Sequence, residues 1–475
     1  MSRRRLLLYA LPATLLLSGC SNPPEHRGFE SVQAKVSTLI DKDVEWRDPD
    51  DSTTLASFDA RTQELLKTEL TPDAAVQIAL LNNRTLQATY EDLGIASADL
   101  MEAGIIKNPG FSMYARIPDA ASSTLNTQFS IAMNFIDILL LPLRKKVEGM
   151  RFEAAKARVT MAVLELVSDV RMNYYKLQGE TARLKLRKTA LEAAQAGSEF
   201  AEKLGKAGNM SELTVIPRVA LFHQATLDVA KTELELISLR EKMNRLMGLS
   251  ADRKWTIAAD LPALPEKETL PAADTLEAIA VAQRVDLDVQ RQDVAIIDKA
   301  RAMHHWGVYT AVEPGANTEK EPDRVRVTGP QLNLDIPIFN RGQADRARFR
   351  AQLRQAQDKL EALEQTVRSE VREEYAHILA ARNAVELYRD SILPLRQRAL
   401  ALTSEHYNAM TVGPLDLLSA KQDQISSQLE QTEALRDYWI HRTELEHALG
   451  GKLPGAAPAP IFTPPPAPAA SPVKE

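Results

Sequence analysis

The stretch from Leu143 to about Lys206 contains no proline and is rich in helix-forming residues. At about 1.5 Å per residue it predicts one helix on the order of 90 Å long. No compact domain holds a rod of that length, so the chain must be organised around extended helices. A second helix is predicted from about Ser211 to Met247, directly behind the first. The composition agrees: aromatics are only 5%, and the abundant Ala, Leu, Glu, Arg, Gln and Lys favour helices. With 26% charged and 44% hydrophobic residues, the chain suits an ordered protein of roughly two to three domain equivalents. Its net charge of −6, with both signs interspersed, offers no basic face to nucleic acid.

Upstream of the rod the pattern changes twice. Thr71-Pro72-Asp73 reads as an N-cap, a proline at the first helical position and an acidic first turn. The helix it opens is expected to run to about Ile106, where Asn108-Pro109-Gly110 breaks it. In residues 111–117, and again in 128–136 with Phe129, Ile131, Met133 and Phe135, apolar and polar residues alternate, which predicts two strands with one apolar face.

The second half repeats this plan, which is the observation that decides the fold. After a proline-rich linker at 251–273, a helix from Asp274 to about Met303 leads to a strand pair at 307–313 and 325–338, joined by a polar turn from Pro314 to Asp323. Long helices follow at 343–410, with Pro394 inside, and at 415–449. Leu246-Met247-Gly248 closes the first copy (71–250), and Ala448-Leu449-Gly450 the second (274–450). Residues 451–475 read as a disordered Pro/Ala-rich tail.

At the N-terminus, Arg3, Arg4 and Arg5 precede an apolar run from Leu6 to Leu17, too short to span a bilayer. Leu17-Ser18-Gly19-Cys20 then resembles the bacterial lipobox. That resemblance implies a signal peptide at 1–19 and diacylglycerol plus N-acyl lipid on Cys20, the chain's single cysteine. Ser21, in place of an aspartate, implies sorting to the outer membrane. Residues 20–70 read as an irregular lipid-anchored arm. No other cofactor is expected.

The duplicated plan resembles the TolC-like outer-membrane efflux protein family across most of residues 71–450. The resemblance rests on Leu70-Thr71-Pro72-Asp73-Ala74-Ala75 with Asn82-Asn83, on Asn108-Pro109, on Ile336-Pro337-Ile338-Phe339-Asn340-Arg341-Gly342-Gln343, and on Tyr407 with Gly413-Pro414-Leu415-Asp416. It implies a mainly α protein with membrane β: a homotrimer whose twelve-stranded barrel, four strands per subunit, stands on a coiled-coil helical tunnel in the periplasm. Independently, four two-faced strands cannot close a membrane barrel alone, which calls for an oligomer. Sevenfold apolar spacing at Leu213, Ala220, Leu227 and Leu234, and at Leu418, Ile425 and Trp439, suits coiled-coil packing and equally the core-facing stripes of a helical bundle.

The expected function is the exit duct of a tripartite efflux system, passively conducting what an inner-membrane pump and a periplasmic adaptor deliver. Outer-membrane lipids are the further partner. The alternatives are the outer-membrane component of type I protein secretion and a periplasmic adaptor lipoprotein; the latter would show one helical hairpin, not two. The resemblance places the periplasmic tip and adaptor contact at Gly208, Ser211, Leu213, Gly413, Leu415 and Asp416. Gly208 and Gly413 also read as glycines that end helices. Pro217 should bend or delay the helix behind the first turn. Asp416 would either join a ring of carboxylates at the closed end or act as a helix N-terminal carboxylate. Arg144, Lys145 and Lys146 read as a solvated charge run at the membrane boundary. His304 and His305 are adjacent, His441 and His447 lie on one helix, and none has the i, i+4 partner of a helical zinc site, so no metal is expected. No phosphate loop or nucleophile elbow occurs, and no enzymatic activity is expected.

Overall fold

The computed structural model describes residues 27–47, 52–117, 125–265, 270–307, 312–321, 323, 325–336 and 338–454. In chain order the elements are α1 (Phe29–Ile40), α2 (Ser52–Leu65), α3 (Pro72–Asn82), α4 (Arg84–Ala103), β1 (Gly110–Arg116), β2 (Asn126–Ala132), α5 (Phe135–Lys206) and α6 (Glu212–Met247). They continue with α7 (Ala273–Gln283), α8 (Val285–Gly307), β3 (Val312–Lys320), β4 (Arg326–Leu334), α9 (Gln343–Leu387), a π-helical turn (Tyr388–Ile392), α10 (Leu393–Asn408) and α11 (Pro414–Ala448). Two compact units are formed, one from Met1–Ala34, Ala88–Met161 and Val285–Leu363, the other from Lys35–Gln87, Ala162–Arg284 and Glu364–Glu475. The expected signal segment, Cys20 and the residues beyond 454 lie outside the described residues.

The first unit contains one antiparallel sheet in the order β1-β2-β3-β4. Phe111 stands opposite Ile131 and Met113 opposite Phe129. Phe129 in turn faces Thr318, which faces Thr328. Val147, Ala154 and Ile296 form a small core among its helices, with Met150 against them.

The strand bounds differ from those expected. β2 ends at Ala132 and Phe135 is helical, because the Asn134 side-chain oxygen accepts from the Ile136 and Asp137 N–H groups (2.9 and 3.4 Å) and starts α5 there. This helix is therefore 72 residues long, about 110 Å, and holds Pro142 within it. The second pair occupies 312–320 and 326–334 instead of 307–313 and 325–338. Val308 and Thr310 lie outside the described residues, and most of the expected turn after Pro314 is strand. Small residues conceal the alternation: Pro314, Ala316 and Thr318 share one face, and Gly315, Asn317 and Glu319 the other. Pro314 is tolerated because it lies past the last paired residue of β2, and Pro330 because β4 is an edge strand.

In the second unit the helices pack as antiparallel hairpins. Arg187 pairs with Asp228 (2.9 Å) and Lys188 with Glu233 (3.0 Å) between α5 and α6. Arg396 pairs with Asp423 (3.0 Å) between α10 and α11. Between α5 and α11, Arg171 meets Glu446 at 2.9 Å, Tyr175 stacks on Trp439 at 5.4 Å, and Glu180 meets Arg436 at 3.3 Å. Trp439 is 1% exposed and donates its indole N–H to the Pro262 carbonyl at 2.9 Å, tying the linker to the helices.

Several helices depart from the sequence reading. The arm is not irregular throughout: Phe29, Val32, Val36 and Ile40 recur at helical spacing and are buried, so the segment coils into α1. The opening helix breaks at Asn83, whose side chain accepts from the Leu86 N–H at 2.9 Å and donates to the Leu246 carbonyl at 2.9 Å. The helix of the second half breaks likewise at Arg284. Pro394 cannot donate to the Asp390 carbonyl, and the preceding turn widens into a π turn in which the Leu393 N–H bonds to the Tyr388 carbonyl. Pro217 does not delay α6, which begins at Glu212 regardless. The start of the tail is anchored: Lys452 N–H bonds to the Leu39 carbonyl at 3.1 Å, and Leu453 is buried.

Candidate functional site

The pairing registers sort the sheet into two chemically distinct faces. One carries Phe111, Met113, Phe129, Ile131, Val312, Pro314, Ala316, Pro330, Leu332 and Leu334. The other carries Ser112, Tyr114, Asn126, Gln128, Ser130, Glu313, Asn317, Glu319, Gln331 and Asn333. Polar groups on the second face satisfy one another: Ser112 and Ser130 hydroxyls lie 2.6 Å apart, and the Asn126 amide donates to Glu319 at 2.8 Å. A concave region of about 410 Å³ opens on this side, lined by Ser112, Gln128, Ser130, Glu313, Gln331 and Asn333 among others. Phe111 and Phe129 stack at 6.2 Å on the apolar face and remain exposed. Such a sheet suits a boundary between hydrocarbon and water. Among the described residues no helix is long and apolar enough to cross a membrane.

Arg144 is not a free member of a charge run. Its guanidinium donates to the Ala103 and Ile105 carbonyls, both at 3.3 Å, and closes the end of α4.

The hairpin turns lie in the second unit. The antiparallel register of α5 and α11 brings both turns out at the same end of that unit. Gly208 has φ +74°, a left-handed conformation that favours glycine, and the Asn209 N–H returns to the Leu204 carbonyl at 2.9 Å. Ser211 precedes α6 and its hydroxyl meets that of Thr214 at 3.0 Å. Leu213 is 84% exposed. In the second turn the residue that ends the helix is not Gly413 but Met410, at φ +60° and 94% exposed. Gly413, at φ −84°, instead precedes α11 and donates its N–H to the Asp416 carboxylate at 2.9 Å. Asp416 is thus engaged locally at a helix start, and Leu415 is half-buried. The structure brings each turn's residues together locally.

The sevenfold stripe of α6 faces away from its own chain. Leu213, Ala220, Leu227 and Leu234 are all exposed, as are Ile216 and Ile237 three residues past two of them, with His223 and Ala230 at the d positions between. In α11, by contrast, Ile425 and Trp439 are buried.

One cluster escaped the reading of histidine spacing. The His441 Nδ1 of α11 lies 2.9 Å from a Glu374 oxygen of α9 and 3.0 Å from a Glu444 oxygen. Hydrogen bonds donated to the Glu374 and Glu444 carboxylates outweigh burial and push the imidazole pKa up to about 9. A search along single helices cannot see a group assembled across two.

Long helical hairpins and a two-faced antiparallel sheet make up the described fold. Residues 301–451 match the family model described as outer membrane efflux protein. The cobalt-zinc-cadmium resistance protein CzcC of Cupriavidus metallidurans is 24% identical over 398 residues, covering 80% of this chain and 90% of CzcC. The outer membrane channel CmeC of Campylobacter jejuni superimposes with a TM-score of 0.66 at 15% identity, over 86% of this chain and 90% of that one. The channel-forming CusC gives 0.64 at 17% identity, over 80% and 92%. Residues 301–451 thus carry the match to that family, and the fold as a whole is similar to those of the solved outer-membrane channels.

Proposed function

We propose that this protein is the exit duct of a tripartite efflux system and works as a homotrimer. The observation that carries the reading is a sheet with one apolar and one polar face whose edges, β1 and β4, are both unpaired among the described residues. An exposed edge invites another strand. β4 of one subunit and β1 of the next run antiparallel in such a ring, so three sheets give twelve strands with Phe111, Phe129 and Leu332 toward lipid and Gln128, Asn317 and Asn333 toward water. The outward seam of α6 supports the same assembly, because an a/d stripe of that length needs a facing helix.

In this reading Cys20 bears the lipid, which anchors the chain to the outer membrane while the sheet spans it. The turns at Gly208, Ser211 and Leu213, and at Gly413, Leu415 and Asp416, receive the adaptor's helices, and exposed Leu213 and Met410 supply apolar contact. Three copies of Asp416 form a carboxylate ring at the narrow end. The duct performs no chemistry, and the inner-membrane pump supplies the energy. The relation to CzcC favours divalent metal cations as cargo.

The test is conductance in a planar bilayer together with a deletion strain. Ion-conducting steps that shrink when Gln128 is replaced by a bulkier residue, and cobalt, zinc and cadmium sensitivity restored to resistance by the gene, would support the proposal. Silent bilayers with a protein that is folded and lipidated would refute it.

A further inference from the structure

Apart from the duct reading, a second site is written into the helical unit. We propose that Glu374, His441 and Glu444, with His377 beside them, bind one divalent cation of the zinc and cobalt class between α9 and α11. Helix α9 presents Glu374 and His377 three residues apart, and α11 presents His441 and Glu444 at the same spacing, so each pair shares a face. Facing Glu/His pairs of this kind are a recurrent way to build metal sites inside helical bundles.

The geometry is close to what such an ion requires. One ligand atom from each of Glu374, His441 and Glu444 can be chosen so that all three lie within 4.8 Å of one another. Bonds of about 2.0–2.2 Å in a tetrahedral site set ligand atoms roughly 3.3–3.6 Å apart. The present contacts of 2.9 and 3.0 Å therefore need to open by only a few tenths of an ångström. All three side chains are partly buried, which limits competition from water without closing the site to an entering ion.

The chemistry favours a dication over the proton now expected there. A single Nδ1–H stands before two carboxylates and must be shared between them. Two carboxylates and an imidazolium sum to one net negative charge, whereas two carboxylates, a neutral imidazole and a dication sum to zero. The His377 ring lies flat against His441, centroids 4.5 Å apart and planes within 10°, so a rotation about its side-chain bonds delivers a fourth ligand. Lys176 of α5 acts on Glu444, and Glu373 lies 3.8 Å from His377. An imidazole with carboxylates selects zinc, cobalt or nickel over magnesium and calcium.

The experiment uses untagged full-length protein in detergent, stripped with chelator and titrated with Co²⁺ and then Zn²⁺. Expected are one ion per chain, a visible Co²⁺ ligand-field band that Zn²⁺ abolishes, and affinity weakened roughly tenfold or more in both Glu374→Gln and His441→Gln. X-ray absorption of the Co²⁺-loaded wild type, which needs no variant to fold, should show imidazole nitrogen with carboxylate oxygens. Absence of binding, or equal binding by wild type and both variants, would overturn the proposal and leave the cluster an ion pair only.

Discussion

Gly248 closes α6 in the left-handed conformation, at φ +63°, with its α-carbon against the Asn82 carbonyl at the break between α3 and α4. A Cβ at this position would collide with that backbone. Gly450 has the same relation to Arg284, at φ +75° with only 3.1 Å between a hypothetical Cβ and the Arg284 α-carbon. Gly248→Ala is therefore expected to destabilise the fold by on the order of 2–5 kcal/mol, about 1–2 from the conformation and about 1–3 from displaced backbone. Thermal unfolding followed by circular dichroism checks this, with Gly329→Ala, where a Cβ meets open space, as the neutral comparison.

Met410 occupies the left-handed position that Gly208 fills in the other turn. Replacing it by glycine should remove strain worth about 1 kcal/mol and raise the melting temperature. Efflux should nevertheless fall, since the exposed thioether side chain belongs to the proposed adaptor contact. The pair of measurements, a melt and a drug or metal susceptibility assay, separates the two effects.

The two sheet faces predict opposite tolerance at adjacent positions. Phe129→Arg puts a charge on the apolar face and should cost about 2–4 kcal/mol near the membrane midplane, so that little protein assembles. Gln128→Arg, one residue away on the polar face, should insert normally and change ion selectivity. Outer-membrane fractionation and bilayer conductance read the two outcomes.

Asp73 gives the second unit an acid-sensitive joint. Burial acts to raise its carboxyl pKa, but Lys42 at 3.0 Å and Arg171 at 3.1 Å more than offset this and hold it below the ordinary carboxylate range. A group depressed in the folded state stabilises above its unfolded value, near 3.8, and loses that contribution as pH falls through the folded value. Asp73→Asn should thus melt lower than wild type at neutral pH, and the difference should start to narrow below about pH 4 and close once the pH is below the folded value.

Much of the architecture was legible because it is periodic. The long helices, the alternation in residues 128–132 and the glycines at 248 and 450 are local signals that tertiary contacts reinforce. The misses share a cause: a residue whose partner lies far along the chain. Asn83 reads as helical until the Leu246 carbonyl is opposite its amide. Segment 314–320 reads as a turn because Pro314 and Gly315 are turn residues, yet pairing with β2 and β4 makes it strand. His441 shows no i, i+4 partner along α11 because its carboxylates are Glu444 at i+3 and Glu374 from another helix. The exposure of the α6 seam could not be read from spacing, which is identical for stripes turned inward or outward.

Assembly through the sheet edges is the claim on which the duct depends. Its most direct test is the mass of the detergent-extracted protein by light scattering, detergent subtracted, for wild type and for Cys20→Ala. Three chains per particle in both is the predicted result, with the lipid an accessory to a closed barrel. A single chain that leaves the membrane once Cys20 is lost would contradict it and make the protein a lipid-tethered periplasmic monomer.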